Sequence, residues 1–412
     1  MPEHDKHHVG IPPLAHAYGT GTPLTLGIEE EFMLLHPTTF ELVPAFGEVA
    51  KQLRARGGQV DAEMTQSVLE GVTPVCADIA EAEQQVLHLR RSFAEAAAAA
   101  GCCIAAAGTH PFCWTDLEQV TDGARYREIM DDFPWVAKES VTYGMHVHVG
   151  MPSAEDALRV MAGLKPILAH FVALAANSPF WKGEETGLRS VRLPLAGLYP
   201  RSGLPPRLDS WSEYEHMVWA LRDDNDEQPD PTKIWWLIRP QPRFGTVEVR
   251  IFDTQTEPAE ALALVALTQA ACAHVLAGGD FGAVPGAAFA PDTVYEDNIW
   301  HALRGGMDAT LANVTTGERA PAHASVDLLL AVLAPVMVEL GSSHAVATLQ
   351  RMARSNGASR QLSTYSDTGN FSAVLQDLVE RTEPLAAARA AEVRGSRAGA
   401  HLTPDALTST NS

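Results

Sequence analysis

The chain of 412 residues carries 30 Lys and Arg against 51 Asp and Glu, a formal charge of −21, and 46% of its residues are hydrophobic. This composition excludes a disordered protein, and it disfavours a nucleic-acid or anionic-membrane binder because both need clustered basic residues. Five cysteines without CxxC spacing, and a first segment that lacks the order of a signal peptide, predict a cytoplasmic protein without a nucleic-acid or membrane partner.

Taken in chain order, short β-like segments stand among long helical ones. Alternation with a period of two predicts strands at 24–35, 68–72, 102–108, 143–150 and 245–253. Helical patterns predict helices at 47–56, 78–100, 124–139, 154–176, 258–277, 293–312, 324–340, 343–354 and 371–392. Most helices follow the strands without alternating with them, which favours an α+β fold with a largely antiparallel sheet over a doubly wound parallel fold.

No internal domain boundary is evident in the sequence. Residues 1–20, with four histidines among Gly and Pro, and residues 393–412, rich in Ala, Gly, Ser and Thr, are predicted to be disordered tails around a single domain at 21–392. The segment 177–245 is mostly irregular, and so long a segment inside a domain is usually functional. The apolar helices 258–277 and 324–340 are predicted to be core, with a homodimer face as the alternative.

The first polar pair lies in the strand that contains GIEEEF at 27–32. Residues two apart in a strand share a face, so Glu29 and Glu31 point together while Glu30 points the other way. Two carboxylates inside an apolar strand repel each other unless a cation neutralises them. The alternative interpretation is an exposed edge strand that uses charge to prevent aggregation.

Two later strands repeat this arrangement. YGMHVHVG at 143–150 puts His146 and His148 on one face, and TVEVRIF at 246–252 does the same with Glu248 and Arg250. Taken singly, the first pair is explained equally well as two core histidines, and the second as a local salt bridge. Because three strands each present a polar face, we expect a sheet face that is wet or that holds a metal and phosphate.

Glu63 and Glu70, in the segment 61–71, add further carboxylates. Carboxylates outnumber imidazoles and no thiolate takes part, so the set favours Mg²⁺ or Mn²⁺ over zinc. The sequence has neither a P-loop nor a GxGxxG loop after a strand, so a nucleotide would have to be bound by metals and scattered arginines. The arginines that could supply a positive field for phosphoryl transfer are Arg189, Arg192, Arg201, Arg239, Arg243 and Arg250.

These residues resemble the carboxylate–amine ligases of the glutamate–cysteine ligase type 2 family, over roughly 24–380. The resemblance rests on seven ordered blocks: GIEEEF (27–32), GTHPF (108–112), YGMHVHVG (143–150), NSPFWKGEETGLRSVRLP (177–194), WWLIRPQPRFGTVEVRIFD (235–253), DNIWHALRGGMDA (297–309) and NGASRQ (356–361). It implies a glutamine synthetase-like funnel, in which a curved antiparallel sheet binds metals and ATP phosphates on its concave face and helices pack outside. Leu237, between the Trp pair and Arg-Pro, departs from the family's acidic or polar residue.

The resemblance also implies an activity and roles for residues. ATP would activate a carboxylate, typically that of glutamate, as an acyl phosphate, and an amine, typically that of cysteine, would displace phosphate. The implied Mg²⁺ or Mn²⁺ ligands are Glu29, Glu31, Glu63, Glu70, His146 and Glu248; Arg250 and Arg192 would be catalytic clamps on phosphate and carboxylate. Nucleotide or substrate contacts are expected from His148, Arg239, Arg243, Arg304 and Arg360.

Three alternatives to a glutamate–cysteine ligase stay open at this point. The same chemistry could join a different carboxylate and amine, since members of the group vary in substrate. A zinc hydrolase built on His146 and His148 is disfavoured by the surrounding glutamates. A nucleotide or amino-acid sensor on the same fold would bind ATP without turnover.

Overall fold

A computed structural model describes residues 11–56, 60–114, 119–139, 141–222, 228–287, 290–313 and 316–383 of the chain. Its centre is a seven-stranded sheet in which β10, β11, β5, β1, β3 and β2 follow one another and β4 also pairs with β1. All of these pairs are antiparallel. The strands are β1 (Leu26–Leu35), β2 (Asp61–Ala62), β3 (Val68–Val72), β4 (Cys103–Ala105), β5 (Gly144–Gly150), β6 (Phe180–Trp181), β7 (Glu184–Glu185), β8 (Ser202–Gly203), β9 (Trp235–Trp236), β10 (Ile238–Gln241), β11 (Thr246–Asp253), β12 (Thr310–Ala312) and β13 (Arg319–Pro321).

Helices fill much of the remaining described chain, and the α+β prediction is confirmed. They are α1 (Phe46–Ala55), α2 (Ile79–Ala99), α3 (Ala124–Asp132), α4 (Pro134–Glu139), α5 (Ala154–Leu164), α6 (Leu168–Ala175), α7 (Arg192–Ala196), α8 (Trp211–Ala220), α9 (Pro258–Leu276), α10 (Asp292–Gly305), α11 (Ala322–Glu339), α12 (Ala345–Met352), α13 (Gly357–Thr368) and α14 (Phe371–Thr382). Asp78 caps α2 by accepting a hydrogen bond from the Glu81 backbone N–H at 2.9 Å.

Several predicted boundaries were wrong for local reasons. Pro134 begins α4, so the predicted helix 124–139 is split into α3 and α4. The predicted helix 293–312 ends at Gly305, because Gly306 has a φ of +56° and the chain then forms a short 3-10 turn and β12. The predicted strand 102–108 is reduced to Cys103–Ala105. The predicted helix 371–392 ends at Thr382, and positions 384–392 of that prediction lie outside the described residues.

The sheet has one apolar and one polar face, as the alternation predicts. The valines of β5 and β11 point to the apolar face with Ile28, and all are buried there against α5, α6 and α9. The helix α9 is buried nearly all round, which explains its almost continuous run of apolar residues. One large core on the helical side therefore holds the sheet and leaves its other face for chemistry.

Three helical stretches are long and apolar enough to cross a membrane by length and composition alone. Two of them, Ala154–Ala175 and Pro258–Leu276, are each 78% buried inside the fold, so their hydropathy is accounted for by packing. The third, α11, is only 39% buried and exposes Leu328 and Val338. The core prediction thus holds fully for α9 and in part for α11, and the homodimer alternative stays a prediction.

The predicted tails and the irregular segment differ from expectation where they are described. Residues 11–20 have no helix or strand, but Leu14 and Tyr18 are buried and the Tyr18 hydroxyl donates to the Thr246 carbonyl at 3.1 Å, so this part is packed rather than free. Residues 1–10 and 393–412 lie outside the described residues. The segment 177–245 contains α7, α8 and five short strands, β6 to β10. A single domain at 21–392 stays a prediction.

Candidate active site

The register of the central strands brings the predicted polar residues together on one face. Glu29 of β1 lies opposite His146 of β5, and Glu31 lies opposite Glu70 of β3. Glu248 of β11 lies opposite His148. Because opposed side chains in an antiparallel pair lie within about 5.5 Å of each other, four strands concentrate their carboxylates and imidazoles in one patch.

Glu31, Glu63 and Glu70 form the first carboxylate group. One oxygen from each lies within 4.8 Å of the others, and the Gly144 N–H donates to Glu31 at 2.5 Å. Burial, followed by repulsion from Glu63 and Glu31, raises the pKa of Glu70 to about 10. Burial and Glu63 likewise raise the pKa of Glu31 to about 7. Burial and mutual repulsion favour the protonated form of these carboxyl groups, although Arg192 and Arg250 oppose this effect at Glu31. A hard divalent cation could take the place of the protons, so the three residues fit such a cation.

Glu29, His148 and Glu248 form a second group, with one ligand atom from each within 4.8 Å of the others. Glu29 contacts both imidazoles, at 2.8 Å from His146 Nδ1 and 3.2 Å from His148 Nε2. Burial raises the pKa of Glu29, but hydrogen bonds and charge from the two histidines outweigh it and the net pKa lies below its ordinary value. Burial lowers the pKa of His146 to about 4, so this imidazole is neutral at pH 7 and could be a ligand.

Glu248 is the most constrained carboxylate of the patch. It is buried and accepts hydrogen bonds from Arg239 Nε at 2.7 Å and from Arg250, and Gln241 lies at 3.3 Å. Burial raises its pKa, but the charges of Arg239 and Arg250 more than reverse this effect. The second group therefore carries compensating positive charge, and the first group is the better candidate for a cation.

Arg192, the first residue of α7, packs against the sheet at Gly144, where the absence of a side chain leaves room for its guanidinium group. A Cβ at Gly144 would lie 2.0 Å from an Arg192 guanidinium nitrogen, so only glycine leaves room for it. The side chain is buried, donates to the Arg250 carbonyl at 3.3 Å, and has no hydrogen-bond partner at Nε. A buried guanidinium with an unsatisfied donor is prepared to bind an oxyanion.

Two cavities open at opposite ends of the polar face. The first, which we call the Arg192 cavity, has a volume of about 630 Å³ and is lined by Arg192, Arg250, His146, the first carboxylate group and the aromatic residues Tyr126, Tyr199, Trp235 and Trp236. Along β1 it reaches Glu31 and along β11 it reaches Arg250. Its combination of arginines and aromatic rings suits a small, charged organic substrate.

The second cavity, which we call the Phe244 cavity, has a volume of about 530 Å³ and lies over the first residues of β1, the last residues of β5 and the turn before β11. It reaches Glu29 of β1 and His148 of β5, and Ala17 of the packed N-terminal segment forms part of its wall. The Phe244 ring is 54% exposed, lies 5.7 Å from the His148 ring and carries the Arg243 guanidinium 5.5 Å from its centre. The Phe244 cavity thus has one exposed ring and one arginine, whereas the Arg192 cavity has two arginines and the first carboxylate group.

Most of the ligands, clamps and contacts that the resemblance implies come together here, and two do not. Arg360 makes a bidentate ion pair with the buried Glu260 of α9, at 2.7 and 2.6 Å, and lines neither cavity. Arg304, in the last turn of α10, is exposed and also lines neither cavity. Arg239 belongs to the patch, but its guanidinium is occupied by Glu248 and by the Ile234 carbonyl. Arg189 and Arg201, which the sequence suggested only as sources of positive field, line neither cavity.

Sequence reasoning also missed residues of the site. Tyr199 and Trp235 line the Arg192 cavity from an irregular segment and a two-residue strand, where no periodicity marks them, and Tyr126 lines it from α3. Asp253, the last residue of β11, is buried beside Arg192. In the sequence it comes after Glu248 and Arg250, the polar pair that was predicted for this strand. Its place at the end of the block 235–253 is the one signal that could have drawn attention to it.

Solved structures share the fold of this chain. The structure resembles the glutamate–cysteine ligase of Francisella tularensis solved in complex with AMP, with a TM-score of 0.64 over 93% of this chain and 95% of that chain at 12% identity. It also resembles a bifunctional glutathione synthetase from Pasteurella multocida, with a TM-score of 0.56 over 88% of this chain and 53% of the other at 11% identity. At such identities the likeness establishes the fold alone.

The sequence comparison gives the family. Residues 25–380 match the model of glutamate–cysteine ligase family 2, and the chain belongs to this family. A Rubrobacter xylanophilus protein provisionally named glutamate–cysteine ligase 2-3 is 36% identical over 370 residues, which cover 89% of this chain and 99% of that protein. A Solibacter usitatus protein with the corresponding provisional name is 35% identical over 87% of this chain and 94% of its own length. The predicted resemblance is confirmed, and the protein is a member of a ligase family.

Proposed function

We propose that the protein is an ATP- and Mg²⁺-dependent ligase that joins the γ-carboxylate of L-glutamate to the amine of L-cysteine. The observation that carries this proposal is one polar patch with two carboxylate-containing groups, of which the first lines the Arg192 cavity and the second reaches the Phe244 cavity through Glu29 and His148. ATP would lie with its base in the Phe244 cavity and its phosphates over Glu29 and Glu248. The amino acids would occupy the Arg192 cavity.

The reaction follows from what the residues around the patch can do. Arg192 and Arg250 would hold the glutamate carboxylate and the transferred phosphoryl group, because guanidinium groups bind oxyanions through paired hydrogen bonds. A γ-carboxylate oxygen would attack the γ-phosphorus and release ADP. The amine nitrogen would then attack the acyl carbon, lose a proton and expel phosphate. Divalent cations bound by the glutamates would neutralise phosphate charge during the transfer.

The cation itself is part of the proposal. Glu31, Glu63 and Glu70 supply oxygen ligands from two strands and a loop, and no thiolate lies among them. Glu29, Glu248 and the histidines would hold a second ion only if Arg239 and Arg250 yield part of their contact with Glu248. We therefore expect one tightly bound Mg²⁺ or Mn²⁺ at the first group and a second that enters with the nucleotide.

The decisive experiment measures ADP release from ATP, Mg²⁺ and glutamate, with and without cysteine and then with other amines. Cysteine-dependent ADP formation that matches γ-glutamylcysteine would support the proposal. ADP formation with another amine alone would keep the mechanism and change the substrate. ATP binding without turnover for any pair would favour a sensor, and stoichiometric zinc in the purified protein would favour a hydrolase.

A matched pair of arginine variants ties the activity to the Arg192 cavity. Arg192→Ala removes a buried side chain that lines the cavity and should lower kcat/KM at least about 100-fold. Arg207→Ala removes an exposed arginine whose partner is Asp209, and it should leave activity unchanged. Equal activity of both variants would contradict the placement of the substrate.

A further inference from the structure

Asp253 is a buried carboxylate that has no role in the proposed reaction. Its side chain is buried at the end of β11, and no ion pair within 4.0 Å includes it among the described residues. Three donors surround it: the Asn177 backbone N–H at 2.8 Å, the Ser178 hydroxyl at 2.7 Å and the Ser190 hydroxyl at 2.9 Å. All three come from the loop that leads into α7, so one carboxylate fastens both ends of that loop.

The hydrogen bonds continue from Asp253 to Arg192. The Ser178 hydroxyl donates to Asp253 and accepts from the Arg192 backbone N–H at 3.2 Å. The Val191 N–H donates to the Ser178 carbonyl at 2.9 Å, so the chain on both sides of the Arg192 peptide is fixed. Asp253 therefore controls the backbone from which the guanidinium projects into its cavity.

Close packing on both sides leaves this arrangement little freedom. A Cβ at Gly108 would lie 2.6 Å from the carboxyl carbon of Asp253, and one at Gly144 would lie 2.0 Å from Arg192. Burial raises the pKa of Asp253, while the charge of Arg192 and the three hydrogen bonds oppose that rise. The two side chains thus sense each other's charge without a direct ion pair.

A second layer ties the same loop to the C-terminal helices. Gln361 of α13 donates to the Asn177 backbone carbonyl at 2.9 Å and to its side-chain oxygen at 2.8 Å. Asn177 in turn donates to the Thr254 carbonyl at 2.8 Å. The sequence blocks 177–194 and 356–361 therefore meet here.

We propose that Asp253 is a positioning residue, which holds the 177–192 loop through Ser178 and Ser190 so that the Arg192 guanidinium faces the substrate cavity. Only the role of Arg192 as an oxyanion clamp rests on the proposed function. The effect of Asp253 on the position of Arg192 does not, and it can be measured without an activity assay.

The first test is the crystal structure of Asp253→Asn, which has nearly the same shape but no charge and replaces one of the two acceptor oxygens with an amide donor. We expect the 177–192 loop to reorganise and the Arg192 guanidinium to move by about 1 Å or more, while α9 stays in place. An unchanged Arg192 in a folded Asp253→Asn protein would overturn the proposal, whatever the enzyme's substrates are.

The second test is a double-mutant cycle on glutamate and ATP kinetics. Asp253→Asn should raise the KM for glutamate about tenfold or more with little change in the KM for ATP. In an Arg192→Ala background the same change should cost almost nothing further, because the group on which Asp253 acts is already gone. Additive losses would contradict action through Arg192.

Glu260→Gln is the matched control for these measurements. Glu260 is equally buried, and its charged partner Arg360 lies outside both cavities. It should lower the Tm without a selective change in the KM for glutamate. Ser178→Ala, which removes the link to Arg192 and keeps Asp253, should change the KM for glutamate in the same direction as Asp253→Asn by a smaller factor. No change in that KM would contradict the relay.

Discussion

At the scale of single residues, the protonation state of the Glu70 carboxyl group depends on the charges beside it. Glu63 and Glu31 lie within reach of it, and the pKa rises from 4.5 to about 10. The folded protein without a cation therefore holds a proton that the unfolded chain releases at neutral pH. Cation binding would displace that proton.

This linkage predicts how stability depends on pH. Without divalent cations, the Glu70 contribution is fully present below pH 4.5 and is lost as pH rises towards about 10, so the Tm should fall across the neutral range. Mg²⁺ should flatten this slope because it binds the ionised carboxylates. Thermal melts of wild type and Glu70→Gln with and without MgCl₂ test this. Identical slopes for the two proteins in EDTA would contradict it.

Glu248 is a residue where charge removal should damage the fold as well as the activity. Glu248→Gln leaves the buried Arg239 and the half-buried Arg250 without their common negatively charged partner. We expect the free energy of unfolding to fall by about 3–5 kcal/mol. Denaturant titration measures this, with the exposed Asp209→Asn as a control that should change stability by less than about 0.5 kcal/mol. A stable Glu248→Gln protein would show that the pair of arginines is hydrated.

At the scale of elements, β1 carries charge on both of its faces for different reasons. Glu29 and Glu31 face the site, whereas Glu30 faces the helical core and accepts from Arg90 of α2 at 3.0 and 2.5 Å. Arg90 is fully buried and also donates to the Gln255 and Thr256 carbonyls, each at 2.8 Å. This one side chain therefore joins α2 to β1 and to the segment that follows β11.

The buried pair gives an element-scale prediction. Arg90→Met leaves Glu30 buried without a partner and should lower the free energy of unfolding by about 3–5 kcal/mol. Adding Glu30→Leu should restore most of this loss, because neither charge then remains in the core. Denaturant titration of the two variants measures the difference. No recovery in the double variant would mean that the Arg90 contacts to backbone carbonyls carry the stabilisation.

Period-two alternation was enough to predict β1, β3, β5 and β11, and it also predicted the polar faces of β1, β5 and β11, because polar and apolar side chains alternate along these three strands. The two-residue strands of segment 177–245 have no period and form only because the folded chain brings their partners together. The Glu30–Arg90 pair spans 60 positions, which no local pattern reports. For the same reason the sequence predicted the carboxylates of the patch, but not Tyr199 or Asp253. Arg304 and Arg360, which only the family blocks suggested, line neither cavity, and their roles stay predictions.

At the scale of the whole molecule, the two cavities predict separable effects on the two kinds of substrate. Phe244→Ala removes the exposed ring of the Phe244 cavity and should raise the KM for ATP about tenfold with little effect on the KM for amino acids. Tyr199→Ala, in the Arg192 cavity, should do the reverse. Steady-state kinetics with each substrate varied measure both. A rise of all Michaelis constants in both variants would contradict two separate compartments.

The segment before β1 has a practical consequence for anyone who trims the protein. A disorder-based choice would cut at residue 20, yet Ala17 lines the Phe244 cavity and its N–H donates to the Pro242 carbonyl at 2.9 Å. The neighbouring Gly245 has a φ of +66°, and a Cβ there would lie 2.6 Å from the Ala17 carbonyl oxygen, so the hairpin and this segment fit each other closely. A shortened protein would have lost one wall of the cavity before the first assay, and its weak ATP binding would be mistaken for a property of the enzyme.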